Sequence, residues 1–232
     1  MFSLNENLIS KIIERTLPSF QNVDLNSLNL GFGYIFYSFT RTLRPQNIIV
    51  IGSKAGFSPV MFGLGMKDNE GTGVGKIRCY ETNNIKDTVG KLYFIDPSYD
   101  IESNDDNHWF GIGYWTNPEQ VKALWTEFGL EDVVSHFKMT SKEFVEDAAC
   151  PSEIELIYID GDHSYDGMME DINQYYPKLK KDGMVILHDV DPRIKDLLEN
   201  GGGNEVYETI NLSRFEKIRL PVFPGIAILI KR

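Results

Sequence analysis

Short runs rich in β-branched and aromatic residues return five times along this chain. They are NIIVI (47–51), KLYFI (91–95), VVSHF (133–137), ELIYI (155–159) and MVIL (184–187), with helically spaced stretches between them. Runs of this length, apolar at successive positions, read as strands buried on both faces of a parallel sheet. Strands that alternate with helices connect through right-handed crossovers, which confines the chain to a doubly wound α/β fold.

The intervening helices carry their own punctuation. Asn117 is an N-cap, Pro118 occupies the first helical position, Val121, Leu124, Trp125 and Phe128 share a face, and Gly129 stops the helix. Thr140 to Glu143 fits a capping box ahead of Phe144 and Val145. Met168, Ile172, Tyr175, Tyr176 and Leu179 form a further stripe, read as a helix running to the Lys-rich segment before Gly183. These faces are expected to pack in the core. Leu4 to Thr16 and Tyr34 to Leu43 read as helices of an N-terminal cap, residues 1–45, over the open edge of the sheet. Residues 68–90, Gly-rich and aperiodic, read as an inserted loop. At the other end, Arg214 to Leu220 and Ile226 to Ile230 are separated only by Pro221-Val-Phe-Pro-Gly225, too few residues for a crossover helix. They are expected to pair as an antiparallel hairpin. No internal repeat is visible, and residues 1–232 are expected to form one domain.

A chain of 26.5 kDa buries roughly 72% of its unfolded surface, so the core needs no staples. The charge balance, 23 − 34 = −11, opposes the phosphate contacts on which nucleic-acid binding depends. No apolar run approaches the roughly 18 residues of a membrane span, and MFSLNEN lacks the basic flank and apolar stretch of a signal peptide. Cys79 and Cys150 have no C-x-x-C spacing and are expected to be reduced thiols. A cytoplasmic protein with no membrane and no nucleic-acid partner is expected; a homo-oligomer is left open.

In an open parallel sheet, ligands bind beyond the carboxyl ends of the strands, where strand order reverses. The first run ends in Gly52-Ser53-Lys54-Ala55-Gly56-Phe57-Ser58 and leads into a helix. Such a turn lets a ligand approach the backbone and the helix N-terminus, although tight turning alone also requires glycine. The second run ends at Asp96-Pro97, where a carboxylate can accept hydrogen bonds from both hydroxyls of a ribose; capping or turn formation is the competing reading. Its distance from Gly52, 96 − 52 = 44 residues, exceeds the roughly 20 of a dinucleotide-binding unit, and the inserted loop accounts for the excess. The fourth run ends in Asp160-Gly161-Asp162-His163 and the fifth in His188-Asp189-Val190-Asp191. Neighbouring strand ends would bring Asp160 beside Asp189, giving oxygen and imidazole ligands for one divalent cation. Without a metal, two buried carboxylates repel and one pKa rises, which would make that group a base. His163 and His188 have an alternative reading as hydrogen-bonded loop holders; His108 and His136 are expected to be structural. The acidic stretch Asp96 to Asp106 reads as solvated loop. Trp109, Phe110, Tyr114 and Trp115 either line a substrate pocket or pack beneath the loop.

Taken in order, IIVIGSKAGFS, KLYFIDPS, ELIYIDGDHSYDGMMEDI, KDGMVILHDV and the closing hairpin resemble a class I S-adenosylmethionine-dependent methyltransferase, from Gly33 onward. IDGDHSYDG followed by GMVILHDV is similar to small-molecule O-methyltransferases of the macrocin methyltransferase group and to cephalosporin-hydroxylase-like proteins. The resemblance implies a Rossmann-like seven-stranded sheet whose last strand is antiparallel. It also implies a cofactor site of Gly52, Ser53, Gly56, Ser58, Asp96, Pro97, Thr140, Ser141 and Asp160, with Gly52 and Gly56 around the methionine moiety, Asp96 on the ribose and Met139 to Ser141 near adenine. A divalent metal, Mg²⁺ or Mn²⁺, would be held by Asp160, His188 and Asp189 and would orient a substrate hydroxyl. His163, with an ordinary pKa near 6.5, would remove the proton with Asp160 as its catalytic partner. Two positions depart from the family pattern. Val50 stands where an acidic residue is common, and Lys54 where glycine is frequent.

The expected activity is therefore metal-assisted methyl transfer to a hydroxyl of a small molecule. A methyltransferase-like scaffold that binds without chemistry and a metal-dependent hydrolase are the rivals. A nicotinamide oxidoreductase is disfavoured because G-x-G-x-x-G is absent.

Overall fold

The structure is a computed structural model that describes residues 4–16, 21–24, 26–69, 90–97, 115–196, 201–220 and 222–232. The bulk of the 68–90 loop, Cys79, His108, the acidic stretch from residue 98, and Trp109, Phe110 and Tyr114 lie outside the described residues.

The elements run α1 (Glu6–Thr16), α2 (Phe32–Leu43), β1 (Asn47–Ile51), α3 (Phe57–Lys67), β2 (Lys91–Ile95), α4 (Pro118–Phe128), β3 (Val134–Phe137), α5 (Ser141–Glu146), β4 (Ile154–Ile159), α6 (Tyr165–Tyr175), β5 (Leu179–His188), a 3₁₀ turn (Pro192–Asp196), α7 (Gly203–Thr209), β6 (Phe215–Leu220) and β7 (Ile226–Lys231). The strands form one seven-stranded sheet in the order β3-β2-β1-β4-β5-β7-β6. The first five are parallel, and β7 runs antiparallel between β5 and β6. The terminal hairpin is therefore formed as expected.

Strand β1 shows why its sequence lacks alternation. Ile48 and Val50 pack into the core on one face, with α1 to α4, while Ile49 and Ile51 pack into the core on the other, with α5 to α7. Each such buried aliphatic side chain contributes roughly 1.5–3 kcal/mol. The Asn117 side chain caps α4 by accepting from Glu119 and Gln120 amides, and Gly129 ends it in the left-handed conformation.

Two expectations are corrected. The stripe ending at Leu179 is not one helix: α6 stops at Tyr175, and Leu179 opens β5. Pro177 explains the break, since it lacks the amide hydrogen that another helical turn would require. The chain then bulges, with Asp182 at φ 64°, and regains pairing at Met184 opposite Leu156. The N-terminal helices also lie on a face of the sheet, not along its edge. Phe36 of α2 stacks on Phe62 of α3 at 4.9 Å and meets Tyr158 of central strand β4 at 4.9 Å, and Arg15 of α1 bonds Glu127 of α4 at 2.6 Å. Among the described residues, no helix is long and apolar enough to cross a membrane.

Candidate active site

The carboxyl ends of the parallel strands form a continuous rim. The Asp96 amide donates to Phe137 at 3.2 Å, the Gly52 amide to Ile95 at 2.9 Å and the Asp160 amide to Ile51 at 2.9 Å. Residues following β3, β2, β1 and β4 thus stand side by side, with His188 of β5 next in line. Strand order reverses at β1, which places the binding crevice between β1 and β4.

Gly52 has φ 72°, and a Cβ there would lie 2.5 Å from the Asp160 carbonyl oxygen. The turn therefore depends on glycine both for its conformation and for its approach to β4. Ser53 and Ser58 are buried, and the Ser58 hydroxyl donates to Ser53 Oγ at 3.0 Å. The Trp115 indole N–H donates to the Ser53 carbonyl at 3.0 Å. This tie escaped the sequence reading, whose only signal was the aromatic cluster to which Trp115 belongs. Val50, standing where an acid is common, is sealed in the core, and Lys54 is half-buried.

Asp96 and Pro97 are half-buried at the rim. Beyond them His136 lies 3.4 Å from the Asp96 carbonyl and stacks on Phe94; burial pushes its pKa down to about 4, so it is neutral. Thr140 and Glu143 form the full capping box. The Ser141 hydroxyl donates to Asp171 at 2.5 Å, and the Tyr175 hydroxyl to the Ser141 carbonyl at 2.8 Å. Burial pushes Asp171 up to about 7, outweighing the Ser141 hydrogen bond. Asp171 also went unread, because on a helix face it resembles any solvated acid.

The charged cluster sits at the ends of β4 and β5. His188 Nδ1 lies 2.9 Å from Asp160 Oδ1 and 3.0 Å from Asp189 Oδ1. His163 Nδ1 lies 2.8 Å from Asp189 Oδ2, and its Nε2 lies 3.4 Å from Asp160 Oδ1. Successive strand residues normally point apart. Asp189 escapes that alternation through φ 56°, a conformation that costs a non-glycine residue about 1–3 kcal/mol and concentrates at functional sites. Asp162 is not part of the cluster: its carboxylate accepts from the Ser164 amide at 2.8 Å and holds the turn. Asp191 is likewise taken by Arg193.

The electrostatics correct two expectations. Burial opposes ionisation of Asp160 and Asp189, yet the neighbouring histidines outweigh it and hold both carboxyls below their ordinary range, so neither becomes a raised-pKa base. Burial likewise opposes charge on His163 and His188. The two carboxylates prevail, lifting His163 to about 10 and His188 well above its usual value. His163 therefore does not keep the expected value near 6.5. Side-chain exposure is 23% for His163, 12% for Asp160, 3% for Asp189 and 2% for His188, which makes His163 the most exposed member of the cluster.

Among the described residues, no three His, Cys, Asp or Glu side chains stand in a metal-holding arrangement. The donor types, two carboxylates and an imidazole, are those that divalent cations take. Carboxylate oxygens from two strands converge on one nitrogen, and Asp189 Oδ1 is buried without an aligned hydrogen-bond donor.

A family model described as a methyltransferase domain matches residues 49–190, more than half of the chain. No curated protein sequence matches. Solved structures that share the fold include a Staphylococcus aureus protein described as a caffeoyl-CoA O-methyltransferase, with TM-score 0.61 and 16% identity, covering 99% of this chain and 93% of that one. An O-methyltransferase from Bacillus cereus in complex with SAH has TM-score 0.61 and 10% identity, covering 100% and 94%. The O-methyltransferase TomG from Streptomyces achromogenes, involved in tomaymycin synthesis and solved with SAM, has TM-score 0.58 and 10% identity, covering 97% and 88%.

Proposed function

Because the chain belongs to the methyltransferase-domain family, we propose that it transfers the methyl group of S-adenosylmethionine to a hydroxyl of a small molecule. The observation that carries this reading is the position of His163: the most exposed member of an otherwise sealed ion cluster, one strand end from the glycine turn.

The residues divide the work. Gly52, Gly56 and the Ser53 backbone shape the methionine side of the cofactor site, Asp96 accepts from the ribose hydroxyls, and Thr140 and Ser141 border the adenine. His163 keeps Nδ1 on Asp189, which leaves Nε2 as the nitrogen for a substrate proton. The substrate oxygen bonds to the methyl carbon, the carbon–sulfur bond breaks with its electron pair left on sulfur, and the hydroxyl proton passes to the deprotonated form of His163, a minor form at neutral pH because the two carboxylates lift its pKa to about 10, so the rate is expected to rise with pH. Asp160 and Asp189 stabilise the imidazolium so formed. The crevice sets oxygen and methyl in line, which supplies much of the rate. Asp160, His188 and Asp189 would hold the divalent cation, Mg²⁺ or Mn²⁺, whose chemistry is to lower the pKa of the substrate hydroxyl.

Calorimetric titration with S-adenosylmethionine, with and without Mg²⁺ or Mn²⁺, tests the proposal. Saturable 1:1 binding is expected, and no heat under either condition would sink it. Methyl transfer that is unchanged after chelation and dialysis would remove the metal and leave the remainder. Val50, sealed in the core where an acid is common, favours one rival, a scaffold that retains cofactor binding but transfers no methyl group to phenols, sugars or carboxylates.

A further inference from the structure

We propose that Tyr158, oriented by Gln21 of the N-terminal segment, is a positioning residue that fixes the Asp160 carboxylate for its part in the reaction; the inference rests on the role assigned above to the ion cluster.

The two oxygens of Asp160 have different partners. Oδ1 faces His188 at 2.9 Å and His163 at 3.4 Å, while Oδ2 accepts from the Tyr158 hydroxyl at 3.2 Å. The terminal torsion of an aspartate is soft. A carboxylate held only by two imidazoles would turn both oxygens toward them. The tyrosine keeps Oδ2 out of that exchange, so the histidines share a single oxygen and His163 Nε2 stays only loosely engaged.

Tyr158 is built for this task. Its ring is fully buried and is pinned by Phe36 at 4.9 Å and Phe62 at 5.7 Å. Phenylalanine would fill the same volume without burying a hydroxyl, which costs free energy unless it is hydrogen-bonded. A phenol has one hydrogen to donate. The Gln21 amide donates to the Tyr158 oxygen at 3.4 Å, leaving that hydrogen directed to Asp160.

Gln21 reaches this position through a stitched segment. Its carbonyl accepts from the Phe32 amide at 2.9 Å. Gly31, at φ 52°, leaves no room for a side chain, since a Cβ would lie 2.3 Å from that same carbonyl oxygen. Gln21 is 6% exposed, and its Oε1 is buried with no partner, a cost that packing alone does not require. Phe32 meets the His188 ring edge-on at 6.2 Å. Gln21 lies outside the residues 49–190 that the family model matches, so the contact ties the N-terminal segment to the ion cluster.

The test uses the full-length chain labelled with ¹⁵N-histidine and long-range proton–nitrogen spectra at one fixed pH, comparing wild type, Tyr158→Phe, Gln21→Leu and the double variant. The imidazole nitrogens of His163 and His188 are expected to shift in Tyr158→Phe and to shift less, in the same direction, in Gln21→Leu. The double variant should match Tyr158→Phe, while His136, packed against Phe94, stays fixed. Calorimetric affinity for S-adenosylmethionine should change by less than about twofold, because one hydrogen bond to the carboxylate is worth a tenfold or larger effect only where it acts. Unshifted His163 and His188 resonances in a folded Tyr158→Phe protein overturn the proposal. A Gln21→Leu shift that adds to that of Tyr158→Phe also overturns it. If Tyr158→Phe fails to fold, Gln21→Leu decides alone, and unmoved resonances there count against it. Wild-type protein that fails to bind S-adenosylmethionine while its histidine resonances respond as expected defeats the proposed function and leaves the Tyr158–Asp160 coupling standing.

Discussion

The two halves of the strand-end rim are built from similar residues and behave differently. On the β1–β2–β3 side the polar groups hold local structure: the Ser58 hydroxyl holds that of Ser53, Trp115 holds the Ser53 carbonyl, and Thr140 and Glu143 cap a helix. On the β4–β5 side they hold charge, two carboxylates against two imidazoles within 2.8–3.4 Å. One half offers a shaped surface, suited to a cofactor recognised largely through backbone. The other offers groups that ionise, which chemistry on a hydroxyl needs. Sequence position at a strand end is common to both; what separates them is whether each side chain is turned into the fold or toward a neighbouring charge.

Replacing His163 by Ala tests that division most severely. The rate constant for methyl transfer is expected to fall about 10²–10⁴-fold, the range of a lost general base. Affinity for S-adenosylmethionine by calorimetry should stay within about twofold, because no group of the β1–β3 half is touched. A comparable loss of affinity and rate would mean that the two halves are not separate.

Asp171 blurs the comparison, since it is a buried ionisable group on the shape-holding side. Its carboxyl titrates at about 7 when folded against the ordinary 3.8, so between those values the folded chain binds more protons than the unfolded one. Stability from this group is present at low pH, declines as pH rises from about 4 to about 7, and is level above. Relative to Asp171→Asn, wild type is expected to lose at most about 4 kcal/mol between pH 4 and pH 8. Urea unfolding of both proteins across that range reads the difference directly; parallel profiles would show that Asp171 ionises as it does in solvent.

The fold was legible because each central strand is apolar at successive positions, and Ile48 to Ile51 do divide between two cores. Asp160, His163, His188 and Asp189 were legible as a group because strand ends in a parallel sheet converge, and the structure brings all four together. Their protonation was not, since it depends on which atoms meet: the histidines separate the carboxylates, and that reverses the expected repulsion. Ser58 looked like a ligand contact and is spent on Ser53. Tyr158 and Gln21 were invisible because 137 residues separate them and neither stands in a motif. Pro177 was a legible stop for α6 that the apolar stripe concealed.

The smallest effect, and the one that sharpens the comparison most, is expected at Trp115. Trp115→Phe removes the donor to the Ser53 carbonyl and shortens the ring that lies against Gly56, where a Cβ would come within 2.9 Å of the indole. Trp125 stacks on the other side at 5.7 Å, so the turn should loosen without collapse of the core. A buried acceptor left unsatisfied costs about 1–3 kcal/mol, which should appear as a lowered melting temperature together with weaker S-adenosylmethionine binding. At saturating cofactor the rate of methyl transfer should be that of wild type, because the ion cluster is intact. Loss of rate under saturation, with affinity unchanged, would place Trp115 with the chemistry instead and redraw the boundary between the halves.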